Sequence, residues 1–374
     1  MDVTDAPDWL TPGDLEVPVS RCLGAGPAAI QDWTCHSLLG GTSQVEGVWR
    51  VTGSARVSAA RRPWSMILKG WPAPSPGQNE TSMGWPRREL DLYRSGLLGD
   101  LPGGISAPAC YGDEQRSDGS AWVWLEDVAN DASGAWPLER HASHARLLGR
   151  LNGAWVAGRP LPNVPSLSRW WIRERVETAR PFIEQFSSIA DHPLMRRVYP
   201  PPVAAAWMRL WAEREAHLAA LDRLPQTFCH LDAFPRNAFT RRGSDGSDQT
   251  VLIDWAFAGI AALGEELTSP IVASVMFLEV PVGEARHVEA LAIDGYLDGL
   301  RDAGWHGDPD DIRRGYAIAA ALRYGVGGMG RWVPTLLNEQ VHPLAERILG
   351  HPFEELVTAS AAVQRWLADL IPDA

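Results

Sequence analysis

Apolar positions follow two different rhythms along the chain, and the change falls near Asp127. Ser37-Leu38-Leu39 leads into Val48-Trp49-Arg50-Val51, then Ala55-Arg56-Val57, then Ser65-Met66-Ile67-Leu68-Lys69. Short alternating or apolar runs broken by Gly predict antiparallel strands. Apart from that last strand, the Pro- and Gly-rich stretch from Arg62 to Trp85 predicts loop, and a helix begins near Trp85-Pro86-Arg87-Arg88-Glu89-Leu90. Ala121-Trp122-Val123-Trp124-Leu125-Glu126-Asp127 predicts a further strand that runs out into a polar turn. Residues 1 to about 33 show weak periodicity and predict an irregular arm with one short helix.

After Asp127 the spacing becomes helical. Ala142, Ala145, Leu148, Leu151 and Trp155 fall on one stripe between Leu138 and Val156, the signature of an amphipathic helix. Arg169 to Phe186 and Pro202 to Leu221 predict two more helices, and the chain from about Glu266 onward predicts four or five. Between them Ala238-Phe239-Thr240 and Thr250 to Asp254 predict a short strand pair. The expected order is a strand-rich unit over 1–127 followed by a larger helical unit over 128–374.

Composition narrows the class. With 374 residues, 45% hydrophobic and 21% charged, the chain has the balance of a globular protein with real cores. No apolar run approaches the roughly 18 residues that span a bilayer, and the acidic start Met1-Asp2-Val3-Thr4-Asp5 lacks a secretory pattern. A cytoplasmic protein without membrane association is therefore expected, as a monomer or homodimer. The net charge of −12 argues against nucleic acid as the main partner and leans slightly toward a cationic small molecule. None of the four cysteines forms a C-x-x-C pair, so neither zinc nor dithiol chemistry is suggested. The 18 Trp serve cores first, though Trp170-Trp171 offers flat faces to a ring.

The chemistry concentrates in Cys229-His230-Leu231-Asp232-Ala233-Phe234-Pro235-Arg236-Asn237, followed by Val251-Leu252-Ile253-Asp254-Trp255. An Asp and an Asn five residues apart, with a second Asp closing an apolar strand, are the parts that phosphoryl transfer requires. Asp232 is the candidate general base, which orients an acceptor hydroxyl and takes its proton. Asn237 and Asp254 are candidate magnesium ligands through hard oxygen atoms. Each residue alone has an ordinary reading, a turn Asp, a turn Asn, a strand terminator; their combination favours the chemical one. His230 reads as a structural ring that holds the loop. Lys69, at the end of an apolar strand, is placed to neutralise nucleotide phosphates, with Glu89 on the next helix as its partner. Gly40-Gly41-Thr42-Ser43 is a turn whose backbone donors are candidates for capping phosphates, or a plain hairpin. Leu125, Glu126 and Val128 form the expected connection between the units, where main-chain groups would meet a purine.

The loop resembles that of the aminoglycoside phosphotransferase and choline kinase superfamily, over about Leu38 to Leu267. The family loop reads His-Gly-Asp-x-x-x-x-Asn; here Leu231 replaces Gly. A Gly-Asp-Pro-like segment usually follows the second Asp, and here it is Gly264-Glu265-Glu266-Leu267. The resemblance implies an α/β (α+β) bilobal, protein-kinase-like fold, with a small antiparallel-sheet lobe and a larger helical lobe. It implies ATP or GTP with Mg2+ and a small-molecule hydroxyl acceptor such as an amino sugar, an aminoglycoside or a related antibiotic or metabolite. It also implies Asp232 as the catalytic Asp, Asn237 and Asp254 as metal ligands and Lys69–Glu89 as the phosphate-binding pair. Trp170, Trp171, Trp255, Arg323 and Tyr324 are candidates for the acceptor pocket.

The competing reading is a catalytically silent nucleotide-binding module, which the Leu at 231 keeps open. A protein kinase is disfavoured: there is no G-x-G-x-x-G run before Lys69, no Ala-Pro-Glu segment, and too little chain between Asp254 and Leu267 for an activation segment.

Overall fold

The computed structural model describes residues 7–38, 46–129, 135–242 and 248–371. Helix α1 (Pro12–Cys22) precedes strands β1 (Ala29–Ser37), β2 (Gly47–Val57) and β3 (Ala60–Trp71). Helix α2 (Arg88–Arg94), the short β4 (Ile105–Ser106), β5 (Cys110–Gln115) and β6 (Ala121–Glu126) follow. Five of these strands form one antiparallel sheet in the order β1-β2-β3-β6-β5. Within 7–33 the chain forms the expected short helix and, unexpectedly, most of β1, an edge strand with little of its surface buried and hence no clear pattern. α1 closes one side of the sheet with Leu15 and Val19, both fully buried.

Tryptophan builds this small core. Trp64, Trp122 and Trp124 are buried in it. Trp9 and Trp49 bring their ring centroids to 4.5 and 5.3 Å from that of Trp122. Gly70 lies under the Trp122 ring, where any side chain would collide. Lys69 sits between Gly70 and Leu68, and its position on the sheet is therefore fixed by packing on both flanks.

The larger part is helical. Helix α3 (Leu138–Val156) is the first of its elements. The single helix expected over Arg169 to Phe186 is broken into α4 (Trp171–Glu177), α5 (Arg180–Glu184) and α6 (Phe186–Ile189). Pro181, which lacks an N–H donor, starts a new helix better than it continues one. α7 (Pro193–Val198) and the long α8 (Pro201–Arg223) lead to β7 (Gln226–Cys229). β8 (Ala238–Arg242) and β9 (Asp248–Leu252) form the expected antiparallel pair, and β4 joins β9 in parallel. An unexpected β10 (Gly259–Ala262) pairs with β7; its four residues are all buried, so it carries no alternating pattern. α9 (Ser274–Met276), α10 (Ala285–Asp302), α11 (Pro309–Ala320), a π-helical stretch over Ala321–Val326, α12 (Gly327–Leu337), α13 (His342–Leu349) and α14 (Phe353–Ala368) complete the chain. Among the described residues no helix is long and apolar enough to cross a membrane.

α3 and α10 make the closest helix pair. Gly149 faces the Tyr296 carbonyl, Gly295 the Ala142 carbonyl and Gly299 the Arg146 carbonyl, so that a Cβ at any of the three would overlap backbone. This approach lets α3 support the segment that carries Asp232. Asn152 donates to the Phe228 carbonyl (2.8 Å), its own carbonyl accepts from Thr227 Oγ1 (2.8 Å), and its side-chain oxygen accepts from Tyr296 OH (2.7 Å). Gly299→Ala is expected to cost about 1–3 kcal/mol by overpacking, read as a lower urea midpoint; an unchanged midpoint would contradict the packing described.

Candidate active site

β7 ends at Cys229, and the chain turns sharply at Leu231, whose φ is +63°. This left-handed angle suits Gly and costs a residue such as Leu about 1–2 kcal/mol. Two buried ionisable side chains hold the turn. The Glu266 carboxylate accepts from the His230 N–H (2.7 Å) and the Leu231 N–H (2.9 Å). The Arg323 guanidinium donates to the Leu231 carbonyl (2.5 Å). Leu231 is itself almost wholly buried, so the side chain that opposes the turn also contributes apolar burial. The replacement of Gly by Leu thus leaves the left-handed backbone in place.

His230 acts within the same turn. Burial pushes its imidazole down to about 4, so the ring is neutral near pH 7. Nδ1 accepts from the Asp232 N–H (3.1 Å), which leaves the proton on Nε2 to be donated to the Ile253 carbonyl (3.0 Å). The ring therefore ties the Asp232 turn to the strand end that presents Asp254. The Trp255 ring packs against it, with centroids 4.4 Å apart.

Asp232 is surrounded by donors. Asn237 Nδ2 lies 3.0 Å from Oδ2, Ser269 Oγ 3.2 Å from Oδ1, and Arg323 Nη2 3.3 Å from Oδ1. Burial raises its carboxyl to about 6; Arg323 opposes that rise and the Asp254 charge adds to it. A carboxylate of this strength is ionised at neutral pH yet basic enough to take a proton in a transition state.

Asp254 follows β9 with φ +61°, a conformation Asp tolerates better than most residues. Its Oδ1 accepts from Lys69 Nζ (2.9 Å), and Lys69 also donates to Glu89 Oε2 (2.5 Å). Burial alone would raise Asp254, but the Lys69 ammonium outweighs it and holds the carboxyl below the usual range. Burial likewise opposes the charge on Lys69, and the paired carboxylates of Asp254 and Glu89 raise it instead. Lys69 from the sheet, Glu89 from α2 and Asp254 from the helical part therefore meet in one buried cluster.

Asn237 stands beside this cluster. Its backbone carbonyl accepts from the Ile253 N–H (2.9 Å), which fixes the loop against the strand that ends at Asp254. Its amide nitrogen is committed to the acceptor Asp232, so its oxygen is the atom left for a cation. Among the described residues no three His, Cys, Asp or Glu side chains converge on a metal. The donor set at hand, one carboxylate and one amide oxygen, suits magnesium, which takes one or two protein oxygens and fills its shell from phosphates and water.

Other expected residues fall as follows. Gly40, Gly41, Thr42 and Ser43 lie outside the described residues. Leu125 is buried beside Trp71 and Leu90. The Glu126 carboxylate is held by Arg241 (2.5 Å) and by the Ala109 N–H (3.0 Å). Val128, buried, lies just beyond β6, after Asp127. Trp255 is a correction: it is fully buried and donates its indole N–H to the Leu252 carbonyl (2.8 Å), so it presents no face to an acceptor. Trp171 is buried with Arg323 stacked 4.4 Å from its ring centroid, while Trp170 is half-exposed.

Two arginines were not foreseen in their actual places. Arg323, expected only as a pocket residue, touches Asp232 itself. Arg88, fully buried, donates to the Ser166 and Ala256 carbonyls (both 2.7 Å) and to the Ser82 carbonyl. It thereby locks α2, and Glu89 with it, to the segment just after Asp254.

The sequence profile of the phosphotransferase enzyme family matches residues 87–305, more than half of the chain. The chain belongs to that family. Solved structures with similar folds include an amicoumacin kinase in complex with AMP-PNP, Ca2+ and Ami, at 14% identity, with 86% of this chain and 91% of that one covered and a TM-score of 0.50. Another is a spectinomycin phosphotransferase in complex with ADP and spectinomycin, at 14% identity, with 97% and 100% covered and a TM-score of 0.51. At such identity they establish that this phosphotransferase has the bilobal, protein-kinase-like fold. A search of curated proteins finds no match.

The role expected of Asp232 from the sequence, proton acceptor, needs its carboxylate form, which exists only above its carboxyl pKa. The acid limb of kcat/KM for the acceptor is therefore expected near about pH 6. Arg323→Met removes a charge that lowers this pKa, so the limb should move to higher pH; a limb that stays in place would separate Arg323 from the titrating group.

Proposed function

We propose that the chain transfers the terminal phosphoryl group of ATP or GTP, with Mg2+, to a hydroxyl of a small molecule. The observation that carries this reading is the Lys69–Glu89–Asp254 cluster, joined to the Asp232–Asn237 pair through His230 and Ile253. These are the groups needed to orient a hydroxyl, hold a metal and neutralise phosphate, and phosphoryl transfer is mostly positioning and charge stabilisation.

Each group has a part. Asp232 holds the acceptor hydroxyl and takes its proton as the new oxygen–phosphorus bond forms. The bond from the terminal phosphorus to the β–γ bridging oxygen breaks, and the nucleoside diphosphate leaves. Asn237 and Asp254 would hold magnesium, whose charge offsets that of the phosphates. Lys69, kept charged by Glu89, supplies a point charge to the same phosphates. We assign residues 1–127 to nucleotide binding and 128–374 to the catalytic loop and acceptor pocket, with main-chain groups near Glu126 and Val128 meeting the purine. A cytoplasmic location agrees with a nucleoside triphosphate co-substrate.

The silent-module reading rested on Leu231, and the left-handed turn held by Glu266 and Arg323 removes its main support.

The test is nucleoside-diphosphate release, with ATP and with GTP, across a panel of hydroxylated small molecules. Asp232→Asn is expected to lower acceptor-dependent release by about 10²–10⁴-fold and to leave binding of the magnesium–nucleotide complex intact. Equal loss of binding and turnover would count against the base role. Asp254→Ala should instead weaken magnesium–nucleotide binding, measured by calorimetry; unchanged affinity would remove Asp254 from the metal site.

A further inference from the structure

The acceptor side of Asp232 is basic, although the chain as a whole is acidic. Asp232 separates two regions. Oδ2 faces Asn237, whose backbone carbonyl accepts from Ile253 beside Asp254; Oδ1 faces Arg323. On the Asn237 side, the Lys69 ammonium balances Asp254 and Glu89. On the Arg323 side the balance is reversed. Arg323, Trp171 and Arg175 form a contiguous group: Arg323 stacks on Trp171, and Trp171 and Arg175 stand one turn apart on α4, hence on one face of it.

Arg175 is held in place by its surroundings. Its stem runs along Gly327 of α12, where a Cβ would stand 3.1 Å from its Cγ. Arg331 follows one turn later on α12 and is exposed. Among the described residues neither Arg175 nor Arg331 has a carboxylate within ion-pair distance, whereas most other arginines of the chain do. Burial, then the charges of Arg323 and Arg331, push the Arg175 guanidinium down to about 10, so it remains a cation at neutral pH. Three guanidinium groups thus share this side of the site; Arg323 is paired with Asp232 and lies near the Glu265 and Glu266 carboxyls, whereas Arg175 and Arg331 have no such counter-ion among the described residues. Partly buried like charges without a counter-ion carry an electrostatic cost, which an anionic ligand would offset.

We propose that the acceptor is an anionic hydroxylated small molecule, a hydroxy acid or a phosphate ester, whose negative group is held by Arg175 and Arg331 while its hydroxyl meets Asp232. This rests on the phosphotransferase reading and names its substrate class. It replaces the lean toward a cationic acceptor that the net charge of −12 suggests, since the field at a site is set by the charges that line it. A polycationic acceptor would face Arg175 and Arg331, while the carboxylate of Asp232 is already paired with Arg323.

The test uses the full chain loaded with magnesium and AMP-PNP. Thermal shifts are measured with sets matched in carbon skeleton: glycerol, glycerate and glycerol 3-phosphate; glucose, gluconate and glucose 6-phosphate; and glucosamine as the cation. The expected result is stabilisation by carboxylate or phosphate members at millimolar concentration, with no such effect from the neutral and cationic members; comparison of the two acids in each set tells carboxylate from phosphate ester. Arg331→Gln, at an exposed position, and Arg175→Gln should each weaken that binding by about tenfold and leave AMP-PNP affinity unchanged. Stabilisation by neutral or cationic members instead, none by any anionic member, or an anion affinity unchanged in both variants would overturn the proposal. Loss of the AMP-PNP shift itself in the unmodified chain would overturn the phosphotransferase reading, and this one with it; a normal AMP-PNP shift with the wrong charge preference overturns only this one.

Discussion

The site depends on one backbone turn held against its own preference. Leu231 adopts a left-handed angle because a buried carboxylate takes two consecutive N–H groups and a buried guanidinium takes the carbonyl between them and Asp232. Without Glu266 those donors would be buried and unsatisfied, at about 1–3 kcal/mol each, and the turn would relax toward an extended form. Burial raises the Glu266 carboxyl to about 7 even though its two backbone donors favour the charged form. The direction of the Asp232 carboxylate is thus set by distant residues, Glu266 and Arg323, together with the local contacts of His230 and Asn237, and the apolar burial of Leu231 fixes the same geometry from inside.

A second constraint joins the two parts of the molecule. Lys69 on β3 is pinned between packed neighbours, and its ammonium meets Glu89 from α2 and Asp254 from the strand end. Arg88 anchors α2 to the Ala256 carbonyl. His230 ties Asp254's strand to the Asp232 turn through the Ile253 carbonyl. The Lys69–Glu89–Asp254 cluster and the Asp232 turn are therefore linked by a continuous chain of polar contacts. Displacement of α2 would disturb Lys69 and Asp254 together.

Much of this was legible in the sequence because it is local. The Asp232–Asn237 contact and the Asp that ends an apolar strand follow from spacing within a few residues, and the Lys69 strand followed by the Glu89 helix carries its own pattern. The residues that hold the loop were less legible. Arg323 lies 91 positions from Asp232 on a helical run that reads as core, and Arg88 reads as an ordinary helix-start charge. Glu266 was visible only as acidity at a family position; its two backbone partners are a product of tertiary folding. Strands failed where alternation was lacking: β5, Cys110-Tyr111-Gly112-Asp113-Glu114-Gln115, is a polar edge strand, and β10 is too short and too buried to show a period. Net charge is uninformative for a related reason, since a total of −12 does not say which charges stand around one group.

The clamp on the Asp232 turn is most directly tested by steady-state kinetics of Glu266→Gln. The variant keeps the volume and one acceptor oxygen but loses the second acceptor and the charge. The account predicts a fall in kcat of about tenfold or more, with magnesium–nucleotide affinity unchanged, because Lys69, Asn237 and Asp254 keep their places. An unchanged kcat in a folded Glu266→Gln protein would contradict the claim that this carboxylate orients the catalytic loop.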